Sequence, residues 1–169
     1  MTGARRQRKA GLRDRIAAAA LAAAVSLAPG MRASAEAATT GRVVADTLTG
    51  LAINGFDPVA YFADRAPRMG EGAYEVNYAG AVWRFCNEGN RAAFARDPAV
   101  YAPRFGGHDP VALVRGVAVP GHPLIWLIAG DRLYLFSTPE NRASFAAGVD
   151  RAAAAAEHYW RAVEPKLPP

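Results

Sequence analysis

The sequence predicts an α+β domain: two tandem β-hairpin-plus-helix units sharing one core, followed by a C-terminal helix. Three observations carry this reading. Two sequence blocks recur in the same order, short alternating apolar runs flank turn residues in each copy, and a helix-start signal follows each hairpin.

The repeat comes first because it sets the boundaries. "GFDPVA" (Gly55 to Ala60) returns as "GHDPVA" (Gly107 to Ala112), with five of six positions identical. "AVWRFCNEGNRAAFARD" (Ala81 to Asp97) returns as "RLYLFSTPENRASFAAG" (Arg132 to Gly148), with six of seventeen identical, including Phe85/Phe136, Asn90/Asn141, Arg91/Arg142 and Phe94/Phe145. Ordinary composition would give roughly one match in such a window. The blocks lie 52 and 51 residues apart. Repeat one is read as 51–101, repeat two as 105–149, and the whole domain as 51–149.

Each element then has a local reason. Tyr74-Glu75-Val76-Asn77-Tyr78 alternates with period two, so Tyr74, Val76 and Tyr78 share a face, with Trp83 and Phe85 expected on a face of their own. Ala79-Gly80 and Ala129-Gly130-Asp131 are turn residues between closely spaced strands, which makes each pair a hairpin. The continuous apolar run Leu124 to Ile128 predicts a second hairpin covered on both faces. The stretch between each Asp-Pro block and its hairpin reads as irregular. Asn87 is expected to cap the first helix, and Thr138 with Pro139 at the first helical position starts the second. Ser137 and Glu140 have capping-box spacing. Phe94 and Phe145 are expected to face the sheets, with Ala92 and Ala143 allowing close approach. Asp150 is expected to cap a last helix, Arg151 to Val163, carrying Ala154, Tyr159, Trp160 and Val163; it falls in the segment 150–169.

The opening of the chain is of another kind. Arg5, Arg6, Arg8, Lys9, Arg13 and Arg15 precede an alanine-rich apolar run, Ile16 to Leu27, broken by Pro29-Gly30 and followed by Ala33-Ser34-Ala35. That order predicts a signal peptide over 1–35, with 36–50 as a lead-in, and hence a periplasmic or secreted protein. The run is shorter than the roughly 18 residues of a spanning helix, so no membrane span is expected after cleavage. Gln7-Arg8-Lys9 stand where apolar residues follow a twin-arginine pair, so general secretion is expected. Seven of the twenty basic residues and one of the fifteen acidic ones precede Glu36, which leaves thirteen against fourteen. A basic nucleic-acid footprint is therefore excluded from the mature chain.

"GFDPVAYF" followed by "GAVWRFCNEGNRAAFARDPAVYAPRFGG" resembles the YHS domain, in its exported stand-alone bacterial form; repeat two is a degenerate copy. YHS domains and the related TRASH-type metal fingers are often proposed to bind metal through cysteines. Their fuller pattern has a cysteine directly after Asp-Pro-Val and a Phe-Cys-x-x-x-Cys. Those positions here are Ala60, Cys86 and Asn90. The resemblance thus implies Cys86 as the metal-ligand candidate, alone where a structural zinc site wants four ligands.

Further binding candidates are Asp57, Asp109, Arg91, Arg142 and His108. Asp57 and Asp109 precede proline and can accept neighbouring N–H groups. Arg91 and Arg142 either are solvated or pair with these aspartates. Asn90 and Asn141 fall on first helical turns, where they can accept backbone N–H groups. His108 stands where repeat one has Phe56, as a half-buried aromatic filling the same space. Cys86 has Ser137 as its counterpart, which favours a packing role.

Three functions follow. The first is an exported YHS-type non-catalytic binding module for a metal or small ligand. The second is a structural protein whose aromatic hairpin face docks another envelope protein. The third is a thiol enzyme using Cys86 beside a helix start. The sequence requires no cofactor and holds no Ser-His-Asp pattern or phosphate loop.

Overall fold

The computed structural model describes residues 41–168; the expected signal peptide lies outside them. The fold is α+β, with two separate two-stranded antiparallel sheets, β1–β2 and β3–β4. Repeat one runs α1 (Ala60–Ala63), β1 (Glu71–Tyr78), β2 (Ala81–Phe85) and α2 (Glu88–Arg96), with α3 (Pro98–Tyr101) after it. Repeat two runs α4 (Pro110–Val114), β3 (His122–Ala129), β4 (Arg132–Phe136) and α5 (Pro139–Ala146). The helix α6 (Val149–Val163) closes the chain. No helix among the described residues is long and apolar enough to cross a membrane.

The two hairpins have the same register. Val76 pairs with Trp83 and Tyr78 with Ala81, and Glu71 pairs with Phe85 beyond a bulge. Leu127 with Tyr134, Ala129 with Arg132, and His122 with Phe136 repeat this arrangement. Directly paired residues share a sheet face. Trp83 and Phe85 therefore stand on the same face as Val76, not on a face of their own. The turns Ala79-Gly80 and Gly130-Asp131 are left-handed at both central residues, as tight hairpins require.

Ahead of each Asp-Pro block lies a tight turn with three consecutive left-handed residues, Ile53-Asn54-Gly55 and Phe105-Gly106-Gly107. A non-glycine residue in this region costs on the order of 1–2 kcal/mol. Burial of Ile53 and Phe105 holds the two turns in place. The lead-in ties them together: Ile53 N–H donates to Val44 O (2.9 Å), and Val44 N–H donates to Gly106 O (2.8 Å). A Cβ at Gly106 would collide with the Arg42 carbonyl, so the crossing needs glycine.

The short helices α1 and α4 replace the irregular stretches expected after the Asp-Pro blocks, because Asp57 and Asp109 accept the first free N–H groups there. Asn87 and Thr138 cap α2 and α5 as expected, accepting from Asn90 N–H and Asn141 N–H. Ser137 forms no capping box, because its hydroxyl turns to Asp109. Ala92 and Ala143 face solvent. α6 starts at Val149 with Gly148 at its cap, so Asp150 lies inside the first turn, where it complements the helix dipole. The buried residues of α6 are Ala156 and Trp160, while Ala154 and Tyr159 are exposed.

The core lies on both faces of the second hairpin. Leu133 and Leu135 point into a cluster with Ile53, Tyr61, Trp83, Phe85 and Phe94. Tyr134 and Phe136 point the other way, into a cluster with Phe105, Leu113, Phe145 and Trp160. The continuous apolar sequence of β3 has this cause. Tyr61 adds a tie between repeats, donating its hydroxyl to Pro123 O (2.9 Å) and meeting Trp126 edge-on.

Repeat one therefore borrows Leu133 and Leu135 to complete its core. A fragment ending at Gly106 is expected to unfold without a cooperative transition in thermal circular dichroism. Within the whole chain, Leu133→Ala should cost about 2–5 kcal/mol in chemical denaturation.

Candidate functional site

Each repeat is built around one fully buried carboxyl group. Asp57 Oδ1 accepts from Val59 N–H (2.8 Å) and Ala60 N–H (3.3 Å). Its Oδ2 accepts from Cys86 N–H (2.9 Å) and Asn90 Nδ2 (2.7 Å). Asp109 repeats this with Val111 and Ala112 N–H on Oδ1, and Ser137 N–H, Ser137 Oγ and Asn141 Nδ2 on Oδ2. Each aspartate thus joins a short helix to the end of a return strand and the start of the helix after it. Asn90 and Asn141 act here as donors to the aspartates, not as acceptors for helix N–H groups. Arg91 pairs with Glu88 (2.6 Å) and Arg142 is exposed on α5, so neither reaches an aspartate.

Cys86 lies beside this clasp. Asn87 Nδ2 and Asn90 Nδ2 each stand 3.4 Å from its Sγ. Burial, then a hydrogen bond to Asp57 and the charge of that side chain, push the Cys86 pKa up to about 11. The start of α2 would favour a thiolate; the aspartate outweighs it. At neutral pH the group is held as a thiol, a poor nucleophile.

The metal implied by the family resemblance does not fit these residues. Ala60, Cys86 and Asn90 do gather around Asp57, so the fold brings the pattern's positions together. Yet Ala60 offers only a methyl group, Asn90 spends its amide N–H on Asp57, and both Asp57 oxygens are taken by donors. Among the described residues no three His, Cys, Asp or Glu side chains come together as metal ligands.

His108 is fully buried, not half-buried as the sequence suggested. Its Nδ1 lies 2.8 Å from Phe105 O and donates to it, which leaves Nε2 as a buried acceptor without a partner among the described residues. The ring packs on Trp160 at 5.5 Å. Burial lowers its pKa below the ordinary histidine value, so the imidazole is neutral.

A concavity among the described residues lies elsewhere. A cleft of about 600 Å³ opens where the lead-in, the first hairpin turn, the segment before Asp109 and the end of α6 meet. Tyr78, Trp83, Phe105 and Trp160 form its walls, and Arg42, Arg104 and Glu164 supply charge. The Trp83 indole N–H is spent on Tyr78 O (3.0 Å) and Arg104 on Glu157 (2.6 Å).

No protein-family model, curated protein or solved structure matches this chain.

The sequence singled out Cys86, Asp57, Asp109 and His108, which the fold commits to its own packing and hydrogen bonds, and gave no sign of the cleft, because its lining comes from segments far apart in the chain. Gly70 and Gly121 were a further available signal. They also recur 51 residues apart, and each presses against the backbone of the return strand.

The clasp and the buried histidine can be tested by substitution. Cys86→Ser should change stability by less than about 1 kcal/mol, since the equivalent Ser137 places its hydroxyl on Asp109 and a serine at 86 has Asp57 in the same position. Asp57→Ala strands four donors and should cost roughly 3 kcal/mol or more in urea denaturation. For His108, the unfolded chain takes up a proton below about pH 6.5 and the folded chain resists it. Stability is therefore full above that pH and falls as pH drops from there through the lowered folded-state value. His108→Phe, the residue repeat one carries, should flatten that fall when thermal midpoints are compared at about pH 7.5 and about pH 5.5. Phe105 O keeps the His108 backbone N–H (3.0 Å), a bond the substitution leaves in place.

Proposed function

We propose that this chain is an exported, non-catalytic binding module of the YHS type whose ligand is a small organic molecule held in the cleft. The observation that carries the reading is the cleft itself, about 600 Å³, lined by exposed Tyr78 and by Arg42, Arg104 and Glu164. Ligand sites are concave and mostly apolar, with a few polar groups that fix orientation. The groups that catalysis or metal binding would use are committed within the fold: Asp57 and Asp109 are saturated with donors and Cys86 is held as a thiol.

The thiol-enzyme reading is disfavoured by the raised Cys86 pKa. Docking through the aromatic hairpin face is disfavoured because Trp83 and Phe85 are turned into the core. Export follows from the leader order, and the mature chain is expected to begin near Glu36.

Native mass spectrometry with elemental analysis, on protein purified from its own envelope, tests these points together. The expected result is a chain starting near Glu36 that carries a small organic species released on denaturation. Intact chain in the cytoplasm would refute export. A stoichiometric metal lost in Cys86→Ser would refute the non-metal reading.

A further inference from the structure

The charges of the cleft narrow its ligand class. Arg42 and Glu164 both line it, and neither takes part in an ion pair among the described residues. Arg104, by contrast, is engaged by Glu157, which also approaches Arg161. The cleft therefore offers one uncommitted cation and one uncommitted anion that do not satisfy each other. The cleft is also lined by Tyr78, Trp83, Phe105 and Trp160. Tyr78 is the exposed one of these and supplies flat apolar surface, while Trp83, Phe105 and Trp160 are buried and border the cleft only by their edges.

A ligand complementary to this arrangement carries a carboxylate for Arg42, an ammonium for Glu164 and an aromatic or flat apolar body for the walls. Guanidinium and carboxylate match in geometry as well as in charge. A simple anion would leave Glu164 unpaired and would approach it at a cost. A simple cation would do the same at Arg42. We propose that the cleft binds a small zwitterion with an aromatic group, of the α-amino-acid class. The proposal rests on the small-ligand reading given above and adds the charge pattern of the ligand.

Three probes that share one ring test it on the purified full-length protein. L-phenylalanine has both charges, 3-phenylpropanoate lacks the ammonium, and 2-phenylethylamine lacks the carboxylate. Binding is read by the rise in thermal midpoint and by tryptophan emission, since Trp83 and Trp160 line the cleft and none of the three probes absorbs where indole is excited. Phenylalanine should bind at least about tenfold more tightly than either analogue. Arg42→Gln should abolish its advantage over phenylethylamine, and Glu164→Gln its advantage over phenylpropanoate. Neither substitution removes a bond that holds the fold, so both variants should melt like the parent without ligand.

Equal or tighter binding of phenylpropanoate would overturn the zwitterion and mark an anion site. Binding of all three that ignores both substitutions would overturn it in favour of apolar capture. No binding of phenylalanine up to about 1 mM would also overturn it. In that last case, a different organic species released from envelope-purified protein would leave the small-ligand module standing, whereas protein that carries none would remove both.

Discussion

A buried carboxyl group accepting hydrogen bonds from three separate elements is the constraint on which each half of this protein depends. Asp57 and Asp109 are fully shielded from solvent, and every donor that points at them comes from a helix start or a strand end. An unsatisfied buried polar group costs about 1–3 kcal/mol, so such a hub is stable only when the whole set of partners is in place. The aspartate therefore fixes the short helix, the return strand and the next helix relative to one another. The side chains that pack above it, Phe85 on Phe94 and Phe136 on Phe145, inherit that geometry.

The duplication preserves this hub and changes what surrounds it. Repeat two supplies a hairpin with two apolar faces, which completes the core of repeat one with Leu133 and Leu135 and still covers α5 and α6 with Tyr134 and Phe136. The halves are equivalent in backbone and unequal in packing. His108 in place of Phe56 belongs to the same divergence: it sits under α6, an element repeat one lacks, and its ring meets Trp160 there.

The three positions of the pattern the sequence resembles converge on Asp57, where Asn90 donates to the carboxyl group and Cys86 offers its backbone N–H. Repeat two carries Ser137 and Asn141 at the equivalent places and closes the same network without sulfur. In both repeats, hydrogen bonds to a buried acid tie the short helix, the return strand and the next helix together. The cleft of about 600 Å³ lies apart from this network, at the junction of the repeats.

By itself the sequence determined the duplication, the two hairpins, the caps at Asn87 and Thr138, the burial of Phe94 and Phe145, and the double coverage of the second hairpin. These are set by local stereochemistry and by periodicity, which act within a few residues. Asp57 and Asp109 were legible as turn residues through the proline that follows each. Only the tertiary structure decided that the same carboxyl groups also hold residues about thirty positions away, that Arg91 turns to Glu88, and that His108 is buried. It alone decided that Arg42, Trp83, Phe105 and Glu164 line one cleft. Those outcomes depend on which surfaces the packed repeats bring together, and no local pattern in the chain encodes the distance between them.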